Sequence, residues 1–335
     1  MEQKRIYLFD NVKFVLITLV VIGHFIDYSR LAFIDGSFKS VFIFIYTFHM
    51  PAFIFISGLF YKSRDIASKF AAYLSIGMLM KIILYFTALI RNGTAVMNLV
   101  NIGGVSWYMF AVAAFTVLTY ALRNVDRKFL LVMAVIVACF AGYCDEIGDK
   151  FAVSRIIAFY PFYLAGTMTD SKRLVELAEK KRIKALSAAV ITVWAVLCIA
   201  CTKTVFIIKP LVTGRNPFSV LQGGCAPYGG ALRLLCYAVS GVLVFSVICL
   251  MPSKKIPVIS TLGTKTLQIY FWHVPIIYFL TDIPFIKYLI ATGTATRWAF
   301  VLLGIPLTFI LALKPFEYPS TLVLKYTKKK RIDKE

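Results

Sequence analysis

Long apolar runs separated by short polar segments recur along this chain, and they restrict what it can fold into. A helix that crosses the hydrocarbon core of a bilayer needs about 20 mostly apolar residues. Ten runs approach or reach that length: 14–32, 38–60, 70–90, 105–122, 129–143, 156–169, 183–201, 231–251, 258–280 and 298–313. Because unpaired backbone groups are too costly in lipid, such runs form helices. The sequence therefore predicts an all-α polytopic integral membrane protein with about ten transmembrane helices.

The runs at 129–143, 156–169 and 298–313 are shorter than the others. The first two can alternatively form a single re-entrant hairpin, which would reduce the number of spans to eight. We interpret residues 1–335 as a single transmembrane domain that ends in a basic cytoplasmic tail from about residue 314.

The composition excludes several classes of protein. The chain is 60% hydrophobic and 16% charged, whereas soluble domains carry about 25% charged residues. This excludes a water-soluble enzyme, a disordered chain and a nucleic-acid-binding module, although the net charge of +21 at first suggests a polyanion ligand. With a cytoplasmic N-terminus, 25 of the 37 Lys and Arg residues fall on the inner side. This bias predicts that both termini are cytoplasmic.

Cysteine spacing gives little indication of chemistry. Cys198 and Cys201 form a C-x-x-C, but it ends an apolar run and no second pair accompanies it. We therefore expect no metal centre. Cys144 and Cys225 are both predicted on the outer side, and nothing in their spacing argues for a disulfide.

All three histidines of the chain fall inside predicted spans. His24, His49 and His273 lie about ten, eleven and fifteen residues into their runs, near the middle of the bilayer. Ionisable groups at that depth are costly and often mark a functional site. The alternative is that each is a neutral packing residue with a hydrogen-bond partner. Pro51, close after His49, predicts a kink that opens space beside it.

The first predicted span places two polar residues on one side of a helix. Lys13 precedes His24 by eleven residues, about three turns and roughly 16 Å, and Asp10 falls near the same side. Such a face suits a long, thin ligand with an anionic head. Lys13 would pair with a phosphate. His24 would take a proton from a hydroxyl nucleophile.

Other polar and small residues within the runs are further candidates. Lys81, in the middle of a span, is placed to stabilise an oxyanion or an anionic substrate group. Trp107 is either an interfacial aromatic or a stacking partner for a sugar ring. Tyr270 and His273, three residues apart, would line the same cavity. Ser57-Gly58 predicts close approach of two helices.

Two of these stretches resemble a known family. The segments 10–24 and 48–58 are similar to the opening of the acyltransferase 3 family of integral-membrane O-acyltransferases. The likeness is strongest to the branch that includes fucose O-acetylase-like proteins of capsule and O-antigen synthesis. Weaker matches follow in the family's order at 106–108, 159–166 and 267–273.

The resemblance implies about ten helices in a bacterial-type inner (plasma) membrane. It also implies transfer of an acetyl group from cytoplasmic acetyl-CoA to a sugar hydroxyl of a cell-envelope polysaccharide or its lipid-linked precursor. The family's essential histidine maps to His24. Lys13 stands where the family often has Arg, and Arg64 and Lys69 lie where many members carry an Arg-x-x-Arg pair.

The resulting assignment has three groups of residues. The predicted catalytic residues are His24 and Lys81, the CoA-binding residues are Lys13, Arg64 and Lys69, and the substrate-binding residues are Asp10, His49, Trp107, Tyr270 and His273. The expected partners are membrane lipids and a glycan acceptor, without nucleic acid or metal; the sequence specifies no oligomeric state. Two alternatives stay open: a transporter or glycan flippase whose histidines carry protons or bind substrate, and an inactive sensor or scaffold.

Overall fold

The computed structural model describes residues 5–215 and 217–324, and these residues are predominantly helical. The α-helices are α1 (Tyr7–Tyr28), α2 (Gly36–Leu59), α3 (Ile66–Asn92), α4 (Trp107–Ala121), α5 (Arg127–Ala141), α6 (Val153–Thr167), α7 (Ser171–Glu179), α8 (Lys181–Ala200), α9 (Thr202–Val205), α10 (Lys209–Val212), α11 (Gly229–Leu250), α12 (Pro257–Leu262), α13 (Thr266–Asp282), α14 (Pro284–Thr292), α15 (Thr294–Leu302) and α16 (Gly304–Leu311). Short 3₁₀ turns occur at Leu31–Phe33, Phe206–Ile208, Phe218–Val220, Ala226–Tyr228 and Lys314–Glu317. The all-α prediction is confirmed.

Within residues 5–215 and 217–324, six helical segments are long and apolar enough to cross a membrane. They are Tyr7–Tyr28, Gly36–Leu59, Ile66–Asn92, Lys181–Ala200, Ala226–Leu250 and Thr294–Leu311. Helices α13 and α14, bent by 82° at their junction, add a seventh if they form one span. Helix α4 is a shorter apolar helix, and α5 and α6 are separate helices of 15 residues each. The predicted count of about ten spans is therefore not confirmed.

Helix α1 begins at Tyr7, ahead of the apolar run at 14–32, so it includes Asp10 and Lys13, as their predicted helical spacing to His24 requires. Hydropathy alone does not show this extension, because hydrogen bonds satisfy the buried polar side chains of Asp10 and Asn11. The predicted span 258–280 is wrong as a single helix, since it is two helices, α12 and α13, separated at residues 263–265.

Apolar side chains on α8 agree with a lipid environment. Leu186, Val193 and Ile199 are each more than half exposed on this helix. Large exposed apolar patches are rare on water-soluble monomers and are typical of surfaces that meet lipid or a partner.

The described residues form two compact units. The first unit consists of Met1–Phe53, Thr169–Lys209 and Ala238–Phe316. In it α1 packs against α12, α13, α15 and α16. Both ends of α1 meet residues from the last third of the chain, at Asn11 and at His24.

A proline in α2 is accommodated by a side chain from α11. Pro51 lies inside α2, which continues through it to Leu59. A proline at this position supplies no N–H to the carbonyl four residues earlier, that of Thr47. Ser240 donates its hydroxyl to that carbonyl oxygen at 2.6 Å. The freed acceptor is thus satisfied within the first unit.

The second unit consists of Ile54–Met168, Pro210–Tyr237 and Glu317–Glu335. Its core pairs α3 with α4, α5 with α6, and α4 with α6. The end of α2 meets α6 through two glycines: a Cβ on Gly58 would lie 2.0 Å from Tyr163 O, and one on Gly166 would lie 2.1 Å from Phe55 O. The predicted close approach at Ser57-Gly58 is confirmed.

The interpretation of residues 1–335 as one domain stays a prediction. The predicted basic tail from about residue 314 is described as far as Leu324. Its basic cluster at 328–331 lies outside the described residues.

Candidate active site

Two of the three histidines are joined by a hydrogen bond in the first unit. His24 Nδ1 lies 2.7 Å from His273 Nε2. The two rings are parallel to within 10° and their centroids are 4.9 Å apart. Because the facing nitrogens are much closer than the centroids, the rings meet edge to edge through these atoms and are not stacked face to face. The structure therefore couples α1 to α13 through two imidazoles.

The other nitrogens of this pair differ in their surroundings. His273 is fully buried, and its Nδ1 lies 2.8 Å from Tyr270 O and 3.1 Å from Ile269 O. His24 is half-buried, and among the described residues its Nε2 has no hydrogen-bond partner. That nitrogen is the one available to accept a proton from a ligand.

His24 lies four residues before Tyr28, the last residue of α1. His273 remains central in α13, and His49 is central in α2.

His49 approaches the pair through an aromatic side chain. It is 2% exposed, and its Nδ1 donates to Ile45 O at 2.8 Å. The Tyr46 ring centroid lies 4.7 Å from that of His49 and 6.4 Å from that of His24. A Cβ on Gly23 would lie 3.1 Å from the Tyr46 ring, so the glycine permits this packing. All three predicted histidines thus belong to one cluster.

Sequence reasoning missed three side chains around this cluster. The Tyr28 ring lies 5.4 Å from that of His24 and 4.9 Å from that of Tyr278. Asp27 accepts a long hydrogen bond, 3.5 Å, from the Tyr46 hydroxyl. Asp27 and Tyr28 are three and four residues after His24, and this helical spacing was a usable signal. Predicted Tyr270 is buried, with its ring 6.0 Å from that of His273.

The start of α1 carries a buried carboxylate between two cations. Asp10 is 5% exposed; its Oδ2 accepts from Arg5 Nε at 2.6 Å, and its Oδ1 lies 2.9 Å from Lys13 Nζ. The hydrogen bond to Asp10 raises the pKa of Arg5. Two cations on one carboxylate leave an excess of positive charge at this end of the helix. Lys255 adds to this positive charge, since its Nζ lies 6.0 Å from the ring centroid of Tyr7.

Asn11 fastens this end of α1 to the segment before α12. Its Nδ2 donates to Pro252 O at 2.8 Å and to Lys254 O at 3.1 Å. Its Oδ1 accepts from the Ser260 hydroxyl at 2.6 Å. A Cβ on Gly263 would lie 1.9 Å from Asp10 O, so this contact requires glycine. The sequence carried no signal for these partners because they lie some 240 residues away.

Four predicted residues belong to the second unit, and Lys81 is the first of them. Its Nζ donates to Asn98 O at 2.5 Å and to Asn101 O at 2.8 Å, both in the segment that follows α3. These carbonyls give the ammonium group a structural role in holding that segment. Its predicted role at an oxyanion stays a prediction.

Trp107 is buried at the start of α4. Its ring centroid lies 5.2 Å from that of Phe159 and 5.1 Å from the guanidinium carbon of Arg155. Arg155 Nη2 in turn lies 3.4 Å from Asp149 Oδ1. The indole is thus packed within the unit, and both roles predicted for it stay predictions.

Arg64 and Lys69 flank the start of α3. Lys69 Nζ donates to Lys62 O at 2.7 Å and to Arg64 O at 2.8 Å. Arg64 Nε lies 4.0 Å from Asp65 Oδ2, and its side chain is largely exposed. The structure brings these two residues together, and their contact with CoA stays a prediction.

Within the described ranges, no group of three or more His, Cys, Asp or Glu side chains could hold a metal ion. The seven cysteines are free thiols, so Cys144 and Cys225 are not joined here.

Comparison with known proteins gives one match. The family profile described as an acyltransferase domain, that of the acyltransferase 3 family, matches residues 6–313. No curated protein and no solved structure matches the chain. Because the match covers nearly all of the sequence, this chain belongs to the acyltransferase 3 family. Together with the apolar helices in the described part of the chain, the match makes it a multi-pass membrane acyltransferase.

Proposed function

We propose that this protein is a membrane O-acetyltransferase that moves an acetyl group from cytoplasmic acetyl-CoA to a sugar hydroxyl. The acceptor is a cell-envelope polysaccharide or its lipid-linked precursor. The resemblance of segments 10–24 and 48–58 to fucose O-acetylase-like proteins supports this choice of substrates within the family. The positive-inside bias supports cytoplasmic termini and location in a bacterial-type inner membrane.

One observation carries the proposal: the two ends of α1 offer the two groups that acetyl transfer from CoA needs. His24 presents an Nε2 that has no hydrogen-bond partner among the described residues, near the end of the helix, and Lys13 lies in the second turn. Eleven residues of helix separate them by roughly 16 Å. The phosphates of CoA would meet the positive charge of Arg5, Lys13 and Lys255. Its thin pantetheine arm would follow the helix towards His24.

The reaction requires a base for the acceptor hydroxyl. His24 Nε2 takes the hydroxyl proton while the sugar oxygen attacks the carbonyl carbon of the thioester. The carbon–sulfur bond then breaks, the acetyl group stays on the sugar oxygen, and the thiolate of CoA takes the proton held by His24. An acyl-histidine intermediate would need the same nitrogen as nucleophile.

The remaining predicted contacts complete the proposal. Arg64 and Lys69 would hold further CoA phosphate groups, and Lys81 would stabilise the oxyanion. His49 and Tyr270 would bind the acceptor sugar, with Asp10 and Trp107 as additional substrate contacts. The hydrogen bonds of His273 favour a role towards His24 over the predicted contact with substrate.

Mass spectrometry of surface glycans tests the proposal. Cells with the gene should carry an acetyl group that cells without it lack, and the gene encoding His24→Asn should not restore it. Purified protein should be stabilised against heat by CoA. Unchanged glycans, together with proton-coupled uptake into vesicles that does not depend on CoA, would favour a transporter and contradict the proposal.

A further inference from the structure

Hydrogen-bond chemistry fixes the proton positions on the histidine pair. The two atoms that face His273 Nδ1, Tyr270 O and Ile269 O, are backbone carbonyl oxygens. Carbonyl oxygens only accept, so Nδ1 of His273 carries a proton. The Nε2 of a neutral His273 is then an acceptor, because a neutral imidazole has one N–H.

The same reasoning extends to His24. A hydrogen bond between two ring nitrogens needs one donor and one acceptor, and His273 Nε2 is the acceptor. His24 Nδ1 therefore carries the proton and donates it across the 2.7 Å contact. Its Nε2 is left with a free lone pair. Within the described residues, none of the three histidines forms an ion pair with a carboxylate, so nothing there favours a charged ring.

We propose that His273 is the positioning residue that holds His24 in the Nδ1–H tautomer and so makes Nε2 the base. This inference rests on the proposed function for its catalytic meaning. It replaces the sequence-based prediction that His273 binds substrate. The backbone carbonyls of α13 determine that Nδ1 of His273 carries the proton. Nε2 of His273 then determines that Nδ1 of His24 carries the proton.

The pattern of contacts separates this role from a purely structural one. If the role of His273 is structural, it stabilises α13 through the hydrogen bonds from Nδ1 to Ile269 O and Tyr270 O. If it is a positioning residue, it acts on His24 through Nε2. The amide group of asparagine lies near the position of histidine Nδ1, and the amide group of glutamine lies near the position of histidine Nε2. His273→Asn therefore keeps an N–H donor for the two backbone carbonyls but has no acceptor for the N–H of His24. His273→Gln keeps an acceptor for the N–H of His24.

Steady-state kinetics with acetyl-CoA and the glycan acceptor make the first test. We expect His273→Asn to lower kcat about 100-fold or more, because His24 can then carry its proton on Nε2. The KM for acetyl-CoA should stay within about twofold, and His273→Gln should recover a substantial part of kcat. High activity in the Asn variant with low activity in the Gln variant would identify a structural role and overturn the proposal.

Nitrogen NMR makes the second test without any acyl transfer. Because the chain has only three histidines, protein labelled with ¹⁵N-histidine shows three imidazoles. The wild-type His24 spectrum should show a protonated Nδ1 and an unprotonated Nε2, and His273→Asn should mix the tautomers. A wild-type His24 with its proton on Nε2 would overturn the inference. If purified protein transfers no acetyl group, the proposed function fails, while this spectrum still reports the tautomer.

Discussion

His24 Nδ1 and His273 Nε2 are 2.7 Å apart although 249 residues separate them in the chain. The contact joins the second-to-last turn of α1 to the middle of α13, within one compact unit. It uses one nitrogen of His24 and leaves the other for chemistry. The two nitrogens can therefore be tested separately by substitution.

His24→Asn should abolish acetyl transfer without disturbing the bond to α13. Asparagine places an amide N–H near the position of Nδ1, so the donor to His273 Nε2 is retained and only the base is lost. General-base catalysis contributes about 10²–10⁴-fold, and we expect a loss in that range. Turnover by purified protein at saturating acetyl-CoA measures it.

Thr18→Ala is the matched control for His24→Asn. Thr18 lies in the same helix, and its hydroxyl donates to Phe14 O one turn earlier. This variant should keep activity within about twofold, since an intrahelical hydroxyl bond adds little. Transfer by a well-folded His24→Asn protein at the rate of the Thr18→Ala protein would exclude His24 as the base.

Lys13→Gln should weaken binding of CoA. The variant removes one of the cations beside Asp10, and a hydrogen bond to a charged group is worth about 1.5–3 kcal/mol. The dissociation constant should rise about 10- to 100-fold, while kcat at saturation stays near wild type. Lys13→Arg should bind nearly as well as wild type because guanidinium also pairs with phosphate.

Lys172→Gln controls for the change in net charge. Lys172 is exposed on α7, and its substitution removes the same charge from a different surface. Calorimetric titration with CoA should show wild-type affinity for this variant. Equal affinities for the Lys13→Gln and Lys172→Gln proteins would mean that Lys13 does not hold the anionic head.

The sequence predicted helical structure well because lipid requires the backbone hydrogen bonds of a span to be satisfied within it. Each of the ten apolar runs overlaps at least one observed helix. The apolar run at 14–32 does not show the first turns of α1, where Asn11 bonds to Pro252, Lys254 and Ser260, far away in sequence. Apolarity within one run carries no information about such partners.

The sequence indicated which candidate site residues share one helix, but not which residues of different helices meet. The spacing of Lys13 and His24 follows from helical periodicity alone. The hydrogen bond between His24 and His273 depends on the register in which α13 packs against α1. The side chains on the contacting faces of both helices determine that register. Lys81 lies in a predicted span, and its two partners, Asn98 O and Asn101 O, are further contacts that the sequence did not indicate.

Ser240→Ala should destabilise the fold only while Pro51 is present. In wild type the Ser240 hydroxyl is the donor for Thr47 O. Without it a buried acceptor is left unpaired, which costs about 1–3 kcal/mol. Pro51→Ala supplies a backbone N–H for Thr47 O, so Ser240→Ala should cost much less in that background.

A double-mutant cycle measures this coupling between Ser240 and Pro51. The free energy of unfolding in detergent is determined for wild type, both single variants and the double variant. We expect an interaction energy of about 1 kcal/mol in the direction that favours the double variant. Equal costs of Ser240→Ala in the two backgrounds would show that Thr47 O obtains another donor.

Gly58→Ala and Gly166→Ala should both destabilise the protein. Each new Cβ would meet a backbone oxygen, Tyr163 O or Phe55 O, at about 2 Å, so the end of α2 and α6 would have to separate. Overpacking of this kind costs about 1–3 kcal/mol.

Gly241→Ala is the control, because a Cβ at Gly241 in α11 meets nothing within 4 Å. It should be neutral or gain up to about 1 kcal/mol from helix propensity. Melting temperatures in detergent distinguish the two cases, and a fall for Gly241→Ala as large as that for Gly58→Ala would show that close helix contact is not the cause.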